Sequence, residues 1–143
     1  MLFSLTGYKL RKQRFLQTAI EEHLSKIANI EKVYIGWGYK KSGIRAINRG
    51  NFLLAEDGFV RSLGLGKTGA DAFSYIFDDL GIYYDATKPS RLEKMIVASS
   101  SSKNIETDIP QLISRFIEVG ISKYNLSHVN YKISNNQQNV LII

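Results

Sequence analysis

Lys32-Val33-Tyr34-Ile35-Gly36-Trp37-Gly38 is a short β-rich run closed by glycines, and it reads as a buried strand entering a tight loop. A second apolar run, Phe52-Leu53-Leu54-Ala55, stops abruptly on Glu56-Asp57-Gly58. Residues 42–49 between them predict a brief helix. Strand, short helix and strand in this order predict a parallel pair, with a crossover at the short limit for such a connection. The fold class is therefore α/β, with a mainly parallel sheet of Rossmann-like type.

Upstream, Leu10, Phe15, Leu16, Ala19, Ile20, Leu24 and Ile27 recur at three- and four-residue intervals. That spacing predicts an amphipathic helix over residues 8–29. Lys9, Arg11, Lys12 and Arg14 crowd its beginning, the unfavourable end for cations in the field of a helix dipole. A helix lying on a membrane surface would account for such a cluster; a solvated basic face is the commoner cause.

Downstream, residues 61–71 form a glycine-punctuated loop. Phe73-Ser74-Tyr75-Ile76-Phe77 is a third strand candidate ending on Asp78-Asp79, and Gly81-Ile82-Tyr83-Tyr84-Asp85 is a candidate hairpin partner for it. Residues 90–98 and 108–121 read as helices, the second with Ile109, Leu112, Ile113, Phe116 and Ile117 on one face. Ser99-Ser100-Ser101-Ser102 joins them. The final Asn139-Val140-Leu141-Ile142-Ile143 is an apolar β-type run, read either as an edge strand completing the sheet or as the mark of a truncated chain.

The 143 residues fit one domain or one lobe of a larger enzyme. A hydrophobic fraction of 44% and a charged fraction of 22% are those of an ordinary globular chain. Nineteen Lys and Arg against thirteen Asp and Glu give a net charge of +6, which favours anionic partners without choosing among nucleotides, glycolipids, acidic sugars and nucleic acid. With no cysteine, disulfides, thiol nucleophiles and thiolate metal sites are excluded. No apolar run approaches the roughly 18 residues that span a bilayer, and the opening segment lacks the form of a secretory signal. Cytoplasmic placement is the default.

Gly64-Leu65-Gly66-Lys67-Thr68 superficially resembles the end of a phosphate loop. The mechanism demands a glycine five residues before Gly66, where Arg61 stands, and a helix after the lysine, where a strand follows too soon. An ATP site is therefore disfavoured. Asp78, Asp79 and Asp85 could hold a hard cation, but acids at turns are commoner, and no metal site is expected. Trp37 is expected to pack, and His23 and His128 have no ligand partners at metal spacing. Glu56-Asp57-Gly58-Phe59-Val60-Arg61-Ser62 is the stronger candidate. Carboxylates at the end of a buried strand lie where open α/β sheets place ligands, and Arg61 could hold one of them ionised. Spacing alone leaves open a plain strand-end turn with acids paired to Arg61.

Several long motifs taken together resemble a known family. They are Gly36-Trp37-Gly38-Tyr39-Lys40-Lys41-Ser42-Gly43, then Leu54-Ala55-Glu56-Asp57-Gly58-Phe59-Val60-Arg61-Ser62-Leu63-Gly64-Leu65-Gly66, then the run from Phe77-Asp78-Asp79 through Tyr83-Tyr84-Asp85 to Pro89-Ser90-Arg91-Leu92-Glu93, and finally Ser122-Lys123-Tyr124-Asn125-Leu126. Over residues 33–143 the chain resembles the bacterial capsule polysaccharide family of KpsC and LipA type. The resemblance implies a retaining β-Kdo glycosyltransferase that takes Kdo from CMP-Kdo, needs no other cofactor, and builds a linker on a glycolipid acceptor for capsule assembly. It also implies the first lobe of a two-lobed GT-B arrangement. Residues 1–30, the basic helix, add little to the resemblance, and residues 31–143 would be that lobe.

On the resemblance, Glu56 is the general acid/base, and Asp57, Arg61, Ser62, Asp79 and Tyr84 are the residues assigned to substrate. The family's nucleophile is an aspartate following the strand that matches Val140-Leu141-Ile142-Ile143, so the chain is expected to be truncated and inactive alone. Implied partners are the glycolipid or polysaccharide acceptor and other capsule-assembly proteins at the inner membrane, where a peripheral location would follow, with no nucleic acid. The alternative is a non-catalytic accessory subunit that binds acidic polysaccharide or a capsule-assembly partner.

Overall fold

The computed structural model describes residues 3–27, 31–63, 70–100 and 108–123. Strands β1 (Phe3–Leu5), β2 (Val33–Trp37), β3 (Phe52–Asp57) and β4 (Tyr75–Asp78) form one sheet in that spatial order. β1 and β2 are parallel, as are β2 and β3, whereas β4 lies antiparallel on β3. Helices α1 (Leu16–Ser25) and α2 (Lys41–Ile47) are the two crossovers, and α3 (Arg91–Ser100) and α4 (Ile109–Val119) follow the sheet. The fold is α/β with a mostly parallel sheet, as the two glycine-closed runs predict.

Alternation along the strands assigns the two faces. Val33, Ile35, Leu53 and Ala55 point one way and are buried under Leu16, Ile20 and Leu24 of α1, with Phe3 and Leu10 completing the cluster and Trp37, Tyr75 and Phe77 packed at its margin. Each fully buried Leu or Ile here contributes about 1.5–3 kcal/mol relative to exposure. Gly36, Leu54 and Glu56 belong to the opposite face, where α2 lies against β2 and β3. Gly36 is a requirement of that packing. A Cβ there would meet the backbone of Ser42 and Gly43.

The long helix expected over residues 8–29 is broken into two pieces. A 3-10 turn spans Leu10–Lys12, Gln13 is extended, and α1 begins only at Leu16. Arg11 and Lys12 thereby fall in the last turn of the 3-10 segment, the favourable end for cations, while Arg14 stays next to the N-cap of α1. The apolar spacing survives the break, because Leu10, Leu16, Ile20 and Leu24 are all buried.

Two further expectations are corrected. β1 forms from Phe3-Ser4-Leu5, a segment too short to announce itself by pattern, and pairs with Val33-Tyr34-Ile35. The segment at residues 81–85 is no hairpin strand but a turn, closed by Asp85 N–H donating to the Ile82 carbonyl at 3.0 Å. The buried Asp78 side chain explains the turn. Its Oδ1 accepts from the N–H groups of Leu80 and Gly81, each at 2.9 Å, and its Oδ2 accepts from Arg91 N–H at 2.7 Å. One carboxyl thereby satisfies the backbone on both sides of the loop and prevents a strand from continuing. Asp78→Ala is expected to destabilise the chain by about 3 kcal/mol, since charge-assisted bonds of this kind are worth about 1.5–3 kcal/mol each. A denaturation midpoint unchanged in urea would show that the loop is held by something else.

α3 opens with a reciprocal cap, Glu93 N–H donating to Ser90 Oγ at 3.1 Å and Ser90 N–H to Glu93 Oε2 at 3.4 Å. α4 carries Pro110 in its first turn and ends on Gly120 in the left-handed region, φ 66°. Its apolar residues Leu112, Ile113 and Ile117 are exposed, and Phe116 stacks on Phe59 at 6.1 Å. Ser99 and Ser100 belong to α3. Residues 64–68 of the glycine loop, Ser101, Ser102, His128 and the terminal run 139–143 lie outside the described residues.

Candidate functional site

Glu56 and Asp57 are consecutive on β3, so their side chains leave on opposite faces of the sheet. That single fact separates their roles. Asp57 sits across from Tyr75 on the α1 face. Its Oδ1 is 3.0 Å from Arg61 Nε, an ion pair rather than an in-line hydrogen bond. Arg61 is buried, only 4% exposed, and its Nη1 also donates to Ser62 Oγ at 2.8 Å and to the Ala70 carbonyl at 3.0 Å.

The backbone around this pair is strapped in both directions. Phe73 N–H donates to the Arg61 carbonyl at 2.7 Å, and Gly58 N–H to the Ser74 carbonyl at 3.0 Å. Arg61 N–H donates to the Lys123 carbonyl at 3.0 Å, which ties the Ser122-Lys123 motif to the Glu-Asp-Gly loop. Ser62 is fully buried. Asp57, Arg61 and Ser62 therefore form an internal strut beneath the end of β3, with the guanidinium turned away from solvent.

Glu56 faces the other way, into a corner built by Gly38, Tyr39 and Tyr84. Tyr84 Oη donates to Glu56 Oε1 at 3.4 Å and accepts from Tyr39 N–H at 3.3 Å. Gly38 has φ 37° and its N–H donates to the Ala55 carbonyl at 3.0 Å, placing its Cα directly over the carboxylate. A Cβ at Gly38 would collide with Glu56 Oε1 and come within 2.6 Å of Tyr84 Oη. Only glycine fits. Partial burial pushes the Glu56 carboxyl above its ordinary range, helped by the neighbouring Asp57 charge and opposed by the Asp57 backbone N–H, Lys40 and the Tyr84 hydroxyl. A carboxyl displaced upward at the carboxyl end of a parallel strand is suited to exchange a proton with a bound substrate.

The rim of this corner is aromatic and charged. Tyr39 and Tyr84 meet edge to face at 6.2 Å, Tyr83 meets Tyr84 at 5.4 Å, and Lys88 Nζ lies 5.7 Å from the Tyr39 ring centre. Tyr84, assigned to substrate on the resemblance, is placed against Glu56. Gly38, Tyr39 and Lys88 were not among the sequence-derived site residues; Gly38 and Tyr39 carried the signal in the same glycine-closed run, while Lys88 has no spacing that would mark it.

Asp79 is placed elsewhere. It forms a two-pronged pair with Arg91, Nε to Oδ1 at 2.7 Å and Nη2 to Oδ2 at 2.6 Å, and this lowers its carboxyl below the usual range. With His23, Phe77 and Met95 it lines a separate concavity of about 710 Å³ toward the start of β3. His23 packs on Phe77 at 5.0 Å and its pKa is lowered, chiefly by burial. Asp78, Asp79 and Asp85 do not converge, and among the described residues no group of three metal-ligating side chains occurs. Trp37 packs against Tyr75 at 6.3 Å.

A mainly parallel α/β sheet with an acid at the carboxyl end of a strand matches a known family. Residues 32–135 match the family model described as capsule polysaccharide biosynthesis protein, and the chain belongs to that family. Among its relatives, the capsule polysaccharide modification protein LipA of Neisseria meningitidis serogroup B is 38% identical over 124 residues, and that of serogroup A is 37% identical. These alignments cover 81% of the chain but 18% of either relative. Among solved structures, Thermosulfurimonas dismutans KpsC, a β Kdo 2,4 transferase, superposes with a TM-score of 0.66 at 28% identity, covering 97% of this chain and 45% of that one. The chain thus spans less than a fifth of the LipA relatives and under half of the KpsC chain. Among the described residues, no helix is long and apolar enough to cross a membrane.

Proposed function

We propose that this chain is the first lobe of a retaining β-Kdo glycosyltransferase that transfers Kdo from CMP-Kdo to a glycolipid acceptor in capsule assembly. The observation that carries the reading is Glu56, a half-buried carboxyl pushed upward at the carboxyl end of β3, in a fold shared with the KpsC β Kdo 2,4 transferase. Glu56 acts as general acid/base. Asp57, Arg61 and Ser62 shape the strand end beneath it, and the basic character of the chain suits an anionic donor and acceptor.

Retention by double displacement needs a second carboxylate on the reacting centre, about 5–5.5 Å from the first in the analogous glycosidases. Asp57 does not meet that need, because it leaves the opposite face and is held by Arg61. In this reading the nucleophile follows the strand that matches residues 140–143 and the donor site belongs to the second lobe, which accords with the chain's spanning 45% of the KpsC chain. Glycolipid and capsule-assembly partners at the inner membrane are part of the same proposal.

The isolated 143-residue chain, given CMP-Kdo and a phosphatidylglycerol-type acceptor, is expected to yield no Kdo-lipid product by mass spectrometry. Product formed by the chain alone would overturn the division of labour between lobes.

A further inference from the structure

We propose that Tyr84 is a positioning residue for Glu56, its hydroxyl held by the Tyr39 backbone so that its single proton is directed at the carboxylate. This deepens the acid/base reading of Glu56 and rests on it. A tyrosine hydroxyl has one proton to give. Because Tyr84 Oη accepts from Tyr39 N–H at 3.3 Å, its lone pair is used on that side, and the proton is left for Glu56 Oε1 at 3.4 Å. Contacts of this length tighten when substrate closes a site.

The second line of argument is how firmly the tyrosine is delivered. Tyr84 lies beyond the end of β4, on a turn whose entry is locked by the buried Asp78 carboxyl and whose interior is anchored by Ile82, fully buried. Gly81 permits the close approach to Pro89, where a Cβ would come within 2.7 Å of the carbonyl oxygen. The ring is then wedged between Tyr39 and Tyr83, each meeting it edge to face with planes 81° apart. These contacts hold the ring in place, although the residue is half exposed. A side chain recruited only to stack on a sugar would need none of this hydrogen-bonded delivery.

The third is Gly38. A Cβ at Gly38 would fall on Glu56 Oε1 and within 2.6 Å of Tyr84 Oη, so the glycine leaves that space to the carboxylate and the hydroxyl. The Gly38 backbone thus leaves room for the carboxylate on one side, and the Tyr84 hydroxyl bonds it on the other. The charged and titratable groups acting on Glu56 are Asp57 from its own strand, Lys40 at the approach to α2, and Tyr84 from the turn.

The test is a ¹³C NMR titration of the Glu56 carboxyl in the 143-residue chain and in Tyr84→Phe, with Tyr83→Phe as the control. Loss of the donated bond should move the Glu56 midpoint upward in Tyr84→Phe, with the fold retained. Tyr83→Phe should leave it in place. The reciprocal measurement guards against a poorly folded variant: in Glu56→Gln the Tyr84 hydroxyl should titrate lower than in the parent chain, since the carboxylate and its bond raise it. An unchanged Glu56 midpoint in folded Tyr84→Phe, or an unchanged Tyr84 midpoint in Glu56→Gln, overturns the positioning role. The acid/base reading fails by a different result, turnover that persists in Glu56→Gln within a complete enzyme, and that result does not alter the two midpoints.

Discussion

Glu56→Gln in a complete protein containing this lobe is expected to lower Kdo turnover by about 10²–10⁴-fold, the usual worth of a positioned general acid or base. Glutamine has nearly the same shape and keeps an oxygen for the Tyr84 hydroxyl, so the corner formed by Gly38, Tyr39 and Tyr84 should survive. What disappears is the proton. The loss should therefore fall on kcat with acceptor binding little changed, as expected for an interaction made in the transition state. Steady-state kinetics with CMP-Kdo and a lipid acceptor decide the matter. Turnover within a few-fold of the parent would remove Glu56 from the chemistry and favour a lobe that only binds.

The same substitution carries a stability signature of defined sign. Burial raises the Glu56 carboxyl in the folded chain. Between the unfolded value and that raised value, the folded state holds more protons than the unfolded state. Stability contributed at this residue is therefore present at low pH and is lost as pH rises through that window. Glu56→Gln abolishes this dependence, because an amide does not titrate. At neutral pH the variant should denature no earlier than the parent, which distinguishes a lost proton from a damaged fold.

Much of this was legible from residues alone, for reasons that can be named. The two apolar runs closed by Gly38 and Gly58 carry a strand signal independent of context, and they specified the parallel pair of β2 and β3. The acids at the end of the second run stood out because open α/β sheets place ligands at strand ends, and the plain alternative, an acid paired to Arg61, is what Asp57 proves to be. Spacing did not reveal that Glu56 and Asp57 part company. That follows from strand β3 continuing through both of them, where the apolar pattern had suggested a stop at Ala55. Asp79 looked equivalent to the other acids in sequence, yet it is paired to the distant Arg91, a contact set by the turn rather than by any local period. The basic start of the first helix was visible as a conflict with the dipole, and the structure eases it by placing Arg11 and Lys12 in a separate 3-10 turn before α1. β1 was hidden because so short a segment gives too little alternation to count.

Gly43→Ala is the prediction in which two principles disagree in sign. Gly43 lies within α2, and on helix propensity alone alanine there should stabilise by about 1 kcal/mol. The packing says otherwise. A Cβ on Gly43 would run into the Gly38 carbonyl oxygen and meet the Trp37 carbonyl oxygen at 3.0 Å. Those atoms are backbone and cannot swing aside as a side chain would. Overpacking of this sort costs about 1–3 kcal/mol, occasionally more, and here α2 must lift from β2 before the methyl fits. At Gly36 α2 already rests on β2 through backbone, so the helix cannot relieve the clash by moving closer. The clash should win, lowering the melting temperature by about 5–10 °C, given a few degrees per kcal/mol in a chain of this size. Thermal denaturation of the 143-residue chain gives the answer, and a melting temperature equal to or above the parent's would mean that propensity outweighs contact. The consequence reaches the site, because the carbonyl that the new methyl would displace belongs to Gly38, whose Cα closes over the Glu56 carboxylate. The Gly36-Trp37-Gly38 and Gly43 spacing is therefore one device: it brings α2 close enough to β2 to hold Gly38 beside the carboxyl of Glu56.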